Sequence, residues 1–250
     1  MLLLDSHAHL CDPAFDADID RVLARARTAG VAAVIAVGET IRDARRNLEL
    51  ALRFPGVVRP AAGLFPTILD LDAAAEMETF IREHRCRLAA LGEVGLDFWK
   101  VKEPAGRELQ REIFSRFVTL ALDLDLPLNI HSRSAARETI ALLLERGTRR
   151  ALLHAFDGRA VTAGPAVEAG FFFSVPPSIV RSRQTQKLVR QLPLTCLLLE
   201  TDSPVLGADP NARNEPAQLV VALHAVAELK QIPVAAVIEA VEANARQLFR

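Results

Sequence analysis

Short runs of apolar residues recur along the chain, and each run ends in a polar or glycine-rich turn. None of them is long enough for a helix, and none alternates cleanly between apolar and polar positions. Continuous apolarity of this length is typical of parallel strands that are covered on both faces. We therefore predict eight strands, over residues 2–4, 31–37, 57–64, 88–96, 126–130, 151–153, 171–175 and 195–200.

Longer segments with helical spacing of their apolar positions lie between these runs. The segment 16–30 repeats apolar side chains every three or four residues and ends at Gly30, a candidate C-cap. Ser134 is a candidate N-cap for a helix over residues 134–147. The other predicted helices cover residues 108–125, 215–230 and 233–249.

Eight strands that alternate with helices over 250 residues favour an α/β fold of the (β/α)8 type, the TIM barrel. A doubly wound sheet is the competing layout, but it usually has fewer strands and often a glycine fingerprint after the first one. Neither GxGxxG nor GxxxxGK[ST] occurs in the sequence. The chain shows no internal repeat, low-complexity stretch or linker, so we expect residues 1–250 to form a single barrel domain.

Composition limits the partners and the compartment that we expect for the protein. The 30 Lys and Arg residues nearly balance the 31 Asp and Glu residues, which argues against a strongly basic nucleic-acid coat or a membrane-surface protein but permits a local basic rim. Three scattered cysteines without a CxxC motif favour a reducing compartment. No segment approaches the ~18 uncharged apolar residues of a membrane span. We therefore expect a cytoplasmic, monomeric protein that does not contact membranes.

Four of the six histidines lie at the ends of predicted strands, where barrel enzymes place their chemistry. The other two, His84 and His224, lie in predicted helices. Imidazole and carboxylate groups together suit Zn²⁺, Mn²⁺ and related divalent ions. Four imidazoles and two carboxylates exceed the needs of one tetrahedral ion, which favours a two-metal site. The six candidate ligands are His7, His9, Glu93, His131, His154 and Asp202.

A structural role is the alternative for each of these residues. A single buried histidine is more often a hydrogen-bonded core residue than a ligand. An extended segment, however, sends His7 and His9 to the same side, and further histidines and carboxylates occur at matching strand ends. This coincidence favours the metal interpretation. Asp5 either orients a histidine or simply ends the first strand.

Seven motifs in the sequence resemble those of a known family in their order and spacing. They are HAH (7–9), GEVGLD (92–97), HSR (131–133), HAFDG (154–158), LLLETDSP (197–204), RNEP (213–216) and ANARQLF (243–249). Together they are similar to those of the TatD-like metal-dependent hydrolases, a branch of the amidohydrolase group of barrels. HxH alone marks many amidohydrolases, whereas GE[IV]GLD followed by HxR, HxFxG and ETDxP is highly specific. The resemblance extends over residues 5–249.

The resemblance implies a (β/α)8 barrel that uses divalent ions (Zn, Mn or Mg), usually two, to hydrolyse ester bonds, commonly phosphodiesters in DNA. It implies that one ion is held by His7, His9 and Asp202, and the other by His131 and His154, with Glu93 bridging the two. A water between two such ions loses a proton near neutral pH. Asp202 is then the candidate general base or proton shuttle.

Three further residues are candidates for contact with substrate. Arg133 is placed to bind phosphate bidentately and Lys100 as a point charge, the alternative for each being a solvated rim cation. Phe65 stands where the family usually has a histidine after the third strand. It cannot coordinate, donate a proton or bind phosphate, which puts full nuclease activity in doubt. It could stack a base, line an apolar pocket or pack the barrel rim.

Three functions remain open from the sequence. The first is a metal-dependent phosphodiesterase, a 3′–5′ deoxyribonuclease acting on nucleic acid or a small phosphodiester. The second is a metal-dependent hydrolase of a carboxylic ester, an amide or an aminoacyl-tRNA ester, which Phe65 favours. The third is a barrel without chemistry, against which the six intact ligand positions argue. The absence of tyrosine and the few aromatics near the site predict no long nucleic-acid groove.

Overall fold

The computed structural model describes residues 3–250, so Leu2 of the first predicted strand lies outside the described residues. Eight strands form one parallel sheet in the order β1 to β8, each pairing with its neighbour in sequence. Their bounds are β1 Leu3–Ala8, β2 Val31–Ala36, β3 Val58–Ala62, β4 Ala90–Gly95, β5 Leu128–His131, β6 Ala151–Leu153, β7 Phe172–Val175 and β8 Leu197–Leu199. All eight predicted strands are therefore confirmed, as is the (β/α)8 barrel.

Nine α-helices accompany these strands among residues 3–250, and the last two both follow β8. They are α1 Ile19–Thr28, α2 Ile41–Arg53, α3 Leu71–His84, α4 Pro104–Leu124, α5 Ala136–Glu145, α6 Ala160–Glu168, α7 Arg183–Gln191, α8 Leu219–Lys230 and α9 Val234–Leu248. The predicted cap at Ser134 is wrong. The residue before α5 is Ala135, which makes no side-chain cap, and Ser134 instead takes a left-handed turn with φ 54° and donates its N–H to Asp157.

The two edges of the sheet, β1 and β8, meet through side chains and loop backbone. The Asp5 carboxylate accepts hydrogen bonds from the backbone N–H of Thr201 at 2.9 Å and from its hydroxyl at 2.6 Å. Just beyond, the N–H of Asp202 donates to the carbonyl of His7 at 2.9 Å, and the N–H of His9 to that of Ser203 at 2.8 Å. Asp5 thus joins the two edges instead of bonding a histidine ring, and three candidate ligands lie at this seam.

Apolar side chains fill the barrel and close its lower end. Ile35, Leu152, Phe172 and Leu198 point inward from four strands and are at most 4 % exposed. The end of α9 packs beneath them through Leu248 and Phe249. Burial of each such side chain is worth roughly 1.5–3 kcal/mol, so the barrel forms a rigid support for the groups at its mouth.

No single helix among residues 3–250 is long and apolar enough to cross a membrane. The segments Pro216–Lys230 and Val234–Leu248 meet the length and composition requirement only when taken together, and a bend of 112° separates them.

Candidate metal centre

The six candidate ligands converge at the C-terminal mouth of the barrel, where five different strands end. His7 lies in β1, Glu93 in β4 and His131 in β5, and the other three, His9, His154 and Asp202, follow β1, β6 and β8. Their ligand atoms form three overlapping groups within which all atoms lie within 4.8 Å of one another. The groups are His7–His9–Glu93, His7–His154–Asp202 and Glu93–His131–His154.

On the side of the β1–β8 seam, two imidazoles face two carboxylates. The Nε2 atoms of His7 and His9 lie 3.3 Å apart, as expected for alternate residues of one strand. Each lies 3.4 Å from Oδ1 of Asp202. Glu93 Oε2 lies 3.3 Å from the His9 nitrogen and 3.7 Å from the His7 nitrogen. Four donor atoms therefore surround one point.

On the opposite side, Glu93 faces the other two imidazoles with its second oxygen. Oε1 lies 2.8 Å from Nδ1 of His131 and 2.9 Å from Nε2 of His154. Those two nitrogens are 3.3 Å apart. Glu93 is 1 % exposed and lies between the two histidine pairs with one oxygen toward each.

Glycines let the strands approach closely enough for this geometry. Gly95 has φ +148°, and a Cβ there would lie 2.0 Å from the carbonyl oxygen of His131. A Cβ on Gly92 would lie 2.5 Å from the carbonyl oxygen of Asn129. A side chain at either position would push β4 away from β5 and separate Glu93 from His131. The GEVG motif is thus explained by packing as well as by its carboxylate.

Three of the four histidines have a second polar group behind the ring. Nδ1 of His7 lies 2.8 Å from the Oδ1 of Asn129, whose own amide N–H donates to the carbonyl of Ser6 at 2.8 Å. Because that amide oxygen can only accept, it places the His7 proton on Nδ1 and leaves Nε2 free to bind a cation.

Carboxylates take this position behind the other two rings. Nε2 of His131 lies 3.0 Å from the buried Oδ2 of Asp97, and Nδ1 of His154 lies 3.7 Å from Oε2 of Glu200. Glu200 is held by the N–H of Ala155 at 2.8 Å and the hydroxyl of Ser174 at 2.6 Å. The bond to Asp97 leaves Nδ1 of His131 facing the centre, whereas Nδ1 of His154 makes no hydrogen bond and its Nε2 faces Glu93.

The pKa values of the buried groups in the candidate centre depend on one another. Burial disfavours an ionised Glu93, yet the neighbouring His154 and His131 hold its pKa well below the usual range. Burial also opposes a charged His131, but hydrogen bonds to Asp97 and Glu93 raise its pKa to about 9. Burial and the charge of His7 lower the pKa of His154 to about 4, because the two rings stack at 3.8 Å and cannot both be charged.

The residues present fit a divalent cation. Glu93 Oε2 is buried and makes no hydrogen bond, although it points between His7 and His9. An ionised carboxylate oxygen left without a partner in the interior is costly unless a cation satisfies it. The surrounding donors are imidazole nitrogens and carboxylate oxygens, the set that Zn²⁺ and Mn²⁺ accept.

Phe65 lies directly at this centre. Its ring meets that of His131 edge to face, with the centroids 5.1 Å apart. Its backbone N–H donates to the carbonyl of Glu39 at 2.9 Å, which connects the β3 loop to the β2 loop. The ring of Phe65 thus presents an apolar edge to one half of the site.

The two predicted phosphate-binding cations lie on the rim and share one aromatic ring. The guanidinium carbon of Arg133 lies 3.8 Å from the ring centroid of Trp99, and the Lys100 ammonium lies 4.8 Å from it. Trp99 itself is 50 % exposed. Both cations are exposed to solvent, and Arg133 lies close enough to the candidate centre to interact electrostatically with Asp97.

Sequence reasoning missed four polar residues of this region. Asn129, Asp97 and Glu200 lie behind candidate ligands, but each belongs to a strand or motif that also contains a stronger candidate ligand. Glu39 lies in the loop after β2, and burial together with the charges of Glu93 and Asp43 raises its pKa. Its place directly after a predicted strand was the available signal.

The fold and these donors define a barrel hydrolase of the metal-dependent class. A model of the family described as TatD related DNase matches residues 4–250. The chain is 46 % identical over 261 residues to a human protein named deoxyribonuclease TATDN3, covering 99 % of this chain and 94 % of that one. It is 30 % identical over 257 residues to an uncharacterized metal-dependent hydrolase, YabD, of Bacillus subtilis, covering 100 % and 99 %.

Solved structures agree with this assignment. The TatD homologue YJJV of Escherichia coli superimposes with a TM-score of 0.91 at 28 % identity, covering 99 % of this chain and 97 % of that one. The chain belongs to the TatD-related DNase family, and the predicted class, a metal-dependent hydrolase of the TatD type, is confirmed.

Proposed function

We propose that this protein hydrolyses phosphodiester bonds in DNA, as a 3′–5′ deoxyribonuclease that depends on two divalent ions. The observation that carries the proposal is Glu93, a buried carboxylate with one oxygen facing His7 and His9 and the other facing His131 and His154. Such a group is suited to bridge two cations. The family membership and the name of the human relative support DNA as the substrate.

The proposed ligands divide at Glu93. His7, His9 and Asp202 would hold one ion and His131 and His154 the other, with Glu93 shared between them. A pair of divalent ions supplies an activated water and neutralises charge on phosphate oxygens. Zn²⁺, Mn²⁺ and Mg²⁺ remain the candidate ions, and the imidazole-rich donor set favours the first two.

The chain's own groups then act around the substrate. Hydrogen bonds to His7 and His9 outweigh burial and keep the pKa of Asp202 below its usual range, so this carboxylate is ionised and able to accept a proton from the attacking water. Arg133 and Lys100 would hold phosphate oxygens at the rim. We propose that the protein acts as a monomer.

Phe65 supports a second candidate, the hydrolysis of a carboxylic ester, an amide or an aminoacyl-tRNA ester. Its ring edge lies against His131, where a phosphodiesterase would gain from a proton donor or a phosphate ligand. An apolar edge at this point suits an uncharged substituent better than a second phosphate oxygen.

One screen separates the two candidates. Manganese-loaded protein is incubated with single-stranded DNA labelled at its 5′ or 3′ end, with short RNA and with p-nitrophenyl acetate. We expect DNA to be shortened from its 3′ end, which appears as a ladder with the 5′ label and as released mononucleotide with the 3′ label. Hydrolysis of the carboxylic ester alone would refute the deoxyribonuclease.

A matched pair of variants makes that screen specific. Glu93→Gln keeps the size of the side chain but removes its charge, and Glu83→Gln makes the same change on the exposed surface of α3. We expect the first variant to lose hydrolysis and the second to keep it. Equal activity in both would show that the observed hydrolysis comes from a contaminant or another site.

A further inference from the structure

The rim of the barrel mouth is divided into two halves of opposite charge. The loops after β4, β5, β6 and β7 form the basic half-rim, residues 96–103, 132–135, 154–159 and 176–182. They contain five basic residues against three acidic ones, and Arg183 follows at the first position of α7. The five are Lys100, Lys102, Arg133, Arg159 and Arg181.

The other loops form the acidic half-rim, residues 9–18, 37–40, 63–70 and 200–218. They contain one basic residue, Arg213, against nine acidic ones. The nine are Asp12, Asp16, Asp18, Glu39, Asp70, Glu200, Asp202, Asp209 and Glu215. Asp18 binds the guanidinium of Arg213 with both oxygens at 2.8 Å, so this single cation is already neutralised.

The cations of the basic half-rim are exposed by contrast, although Arg181 among them donates a hydrogen bond to the carbonyl of Gly207 at 3.3 Å. Within residues 3–250, none of its five basic residues, nor Arg183, forms an ion pair. Arg133 interacts electrostatically with Asp97 without forming an ion pair, and two of the three acidic residues are hydrogen-bonded within the barrel mouth. Asp97 is buried against His131, and the carboxylate of Asp157 accepts the N–H of Ser134 at 2.8 Å. Unpaired, exposed cations that share one edge attract a polyanion.

Contacts between the loops hold this half-rim together. Arg133 packs on Trp99 of the β4 loop, and its neighbour Ser134 bonds to Asp157 of the β6 loop. The carbonyl of Asp157 in turn accepts a hydrogen bond from Gln184, next to Arg183 at the start of α7. The charges therefore follow one connected edge from Lys100 to α7, with one exposed indole among them.

We infer that the basic half-rim is the binding surface for the part of a single-stranded polynucleotide that lies beyond the scissile bond, and that this strand avoids the acidic half-rim. The inference rests on the proposed phosphodiesterase function. Cations here neutralise backbone phosphates without selecting a sequence, while Trp99 offers one stacking position for a base. Five loop cations and one aromatic suit a short segment, in keeping with the lack of a long groove.

The test measures binding without requiring hydrolysis. Manganese-loaded protein is titrated into a fluorescent single-stranded phosphorothioate oligonucleotide of about twelve nucleotides, and anisotropy is followed over a range of salt concentrations. The rim variant replaces Arg159, Arg181 and Arg183 with alanine. The control variant makes the same change at Arg27, Arg149 and Arg190, which are exposed at the opposite end of the barrel.

We expect the rim variant to bind at least about tenfold more weakly and to lose about 2 from the slope of log affinity against log salt, since each single-strand phosphate contact contributes about 0.7. The control variant should match the unmodified protein. Equal losses in the two variants, or no loss in the rim variant, would overturn the inference. A protein that binds in this way but fails to shorten unmodified DNA would refute the proposed function instead.

Discussion

The histidines on the two sides of Glu93 are supported by different chemistry. Behind His131 and His154 lie the carboxylates of Asp97 and Glu200, and we call this the acid-backed half. Behind His7 lies the neutral amide of Asn129, and we call the group of His7, His9 and Asp202 the amide-backed half. A hydrogen-bonded carboxylate makes an imidazole a stronger base and a better ligand than an amide does, and here this applies to His131, whose pKa is raised to about 9.

The two halves are therefore not chemically equivalent, although both use imidazole. The amide-backed half contains its own anion, Asp202, next to the proposed cation position. The acid-backed half has only the shared Glu93 there and keeps its other carboxylates behind the rings. Negative charge is therefore supplied directly in one half and by Asp97 through His131 in the other, so removing a charge has a different effect in each.

The largest effect is expected at the residue that both halves share. Glu93→Ala removes the oxygen that faces each histidine pair, so metal binding and hydrolysis should fall to background while the barrel still folds. Metal content by mass spectrometry, DNA hydrolysis and circular dichroism provide the measurements. Glu83→Ala serves as the surface control, and retained activity in Glu93→Ala would refute the bridging role.

The next effect should separate the halves. Asp97→Asn replaces the acid behind His131 with an amide like that behind His7, so affinity in the acid-backed half should fall about 10- to 100-fold. Manganese titration followed by electron paramagnetic resonance should show one weakened site and one unchanged site.

Asp72→Asn, an equivalent change on the exposed start of α3, should leave both affinities unchanged. If Asp97→Asn weakened both sites equally, the difference between the halves would be disproved.

The acid-backed half should also bind metal with a marked pH dependence. The pKa of His131 is raised to about 9, so in metal-free protein a proton must leave before this ring can bind. Affinity there should rise about tenfold per pH unit from neutral pH toward 9 and then level off. In Asp97→Asn the levelling should occur at a lower pH, and an unshifted curve would contradict the assignment.

The same group predicts how the stability of metal-free protein changes with pH. The folded-state pKa of His131, about 9, lies above its ordinary value of 6.5, so its contribution to the free energy of unfolding is complete below pH 6.5 and is lost as pH rises through 9. Thermal melts should therefore show a falling Tm over this range for the metal-free protein. A rising Tm would show that His131 is not held in its charged form.

The smallest effect concerns Phe65, whose ring lies against the acid-backed half. Phe65→His would add an imidazole there, and turnover of single-stranded DNA should rise about tenfold, below the 10²–10⁴ of an evolved acid–base group. Phe65→Leu controls for loss of the ring. An unchanged rate in Phe65→His would favour a substrate other than a phosphodiester.

The sequence predicted the strands and all six candidate ligands because both signals are local. An apolar run identifies a strand, and topology alone brings the ends of parallel strands to one mouth. The role of Asp97 was not predicted because its partner, His131, lies on another strand, and nothing in the spacing of the sequence shows that the carboxylate turns inward. Asn129 escaped for the same reason, since its neighbours identify only a buried strand.

Local signals also misled at Ser134. Serine before a helical pattern favours an N-cap, but the loop needed a left-handed residue there to reach Asp157 of the next loop. Tertiary contact thus outweighed local preference. The division of the rim into two charged halves was likewise hidden by a net charge of −1, because opposite charges cancel in the total but not across the mouth.

The seam between β1 and β8 has one more consequence. His7 and His9 stand on one side of it and Asp202 on the other, 195 positions further along the chain than His7. An ion held among them would cross-link the first strand to the last. It would thereby restrict a loop nearly as long as the chain itself, and in theory a metal cross-link stabilises a fold most when it closes a long loop. Binding of the ion that catalysis requires and stabilisation of the barrel would then be a single thermodynamic event.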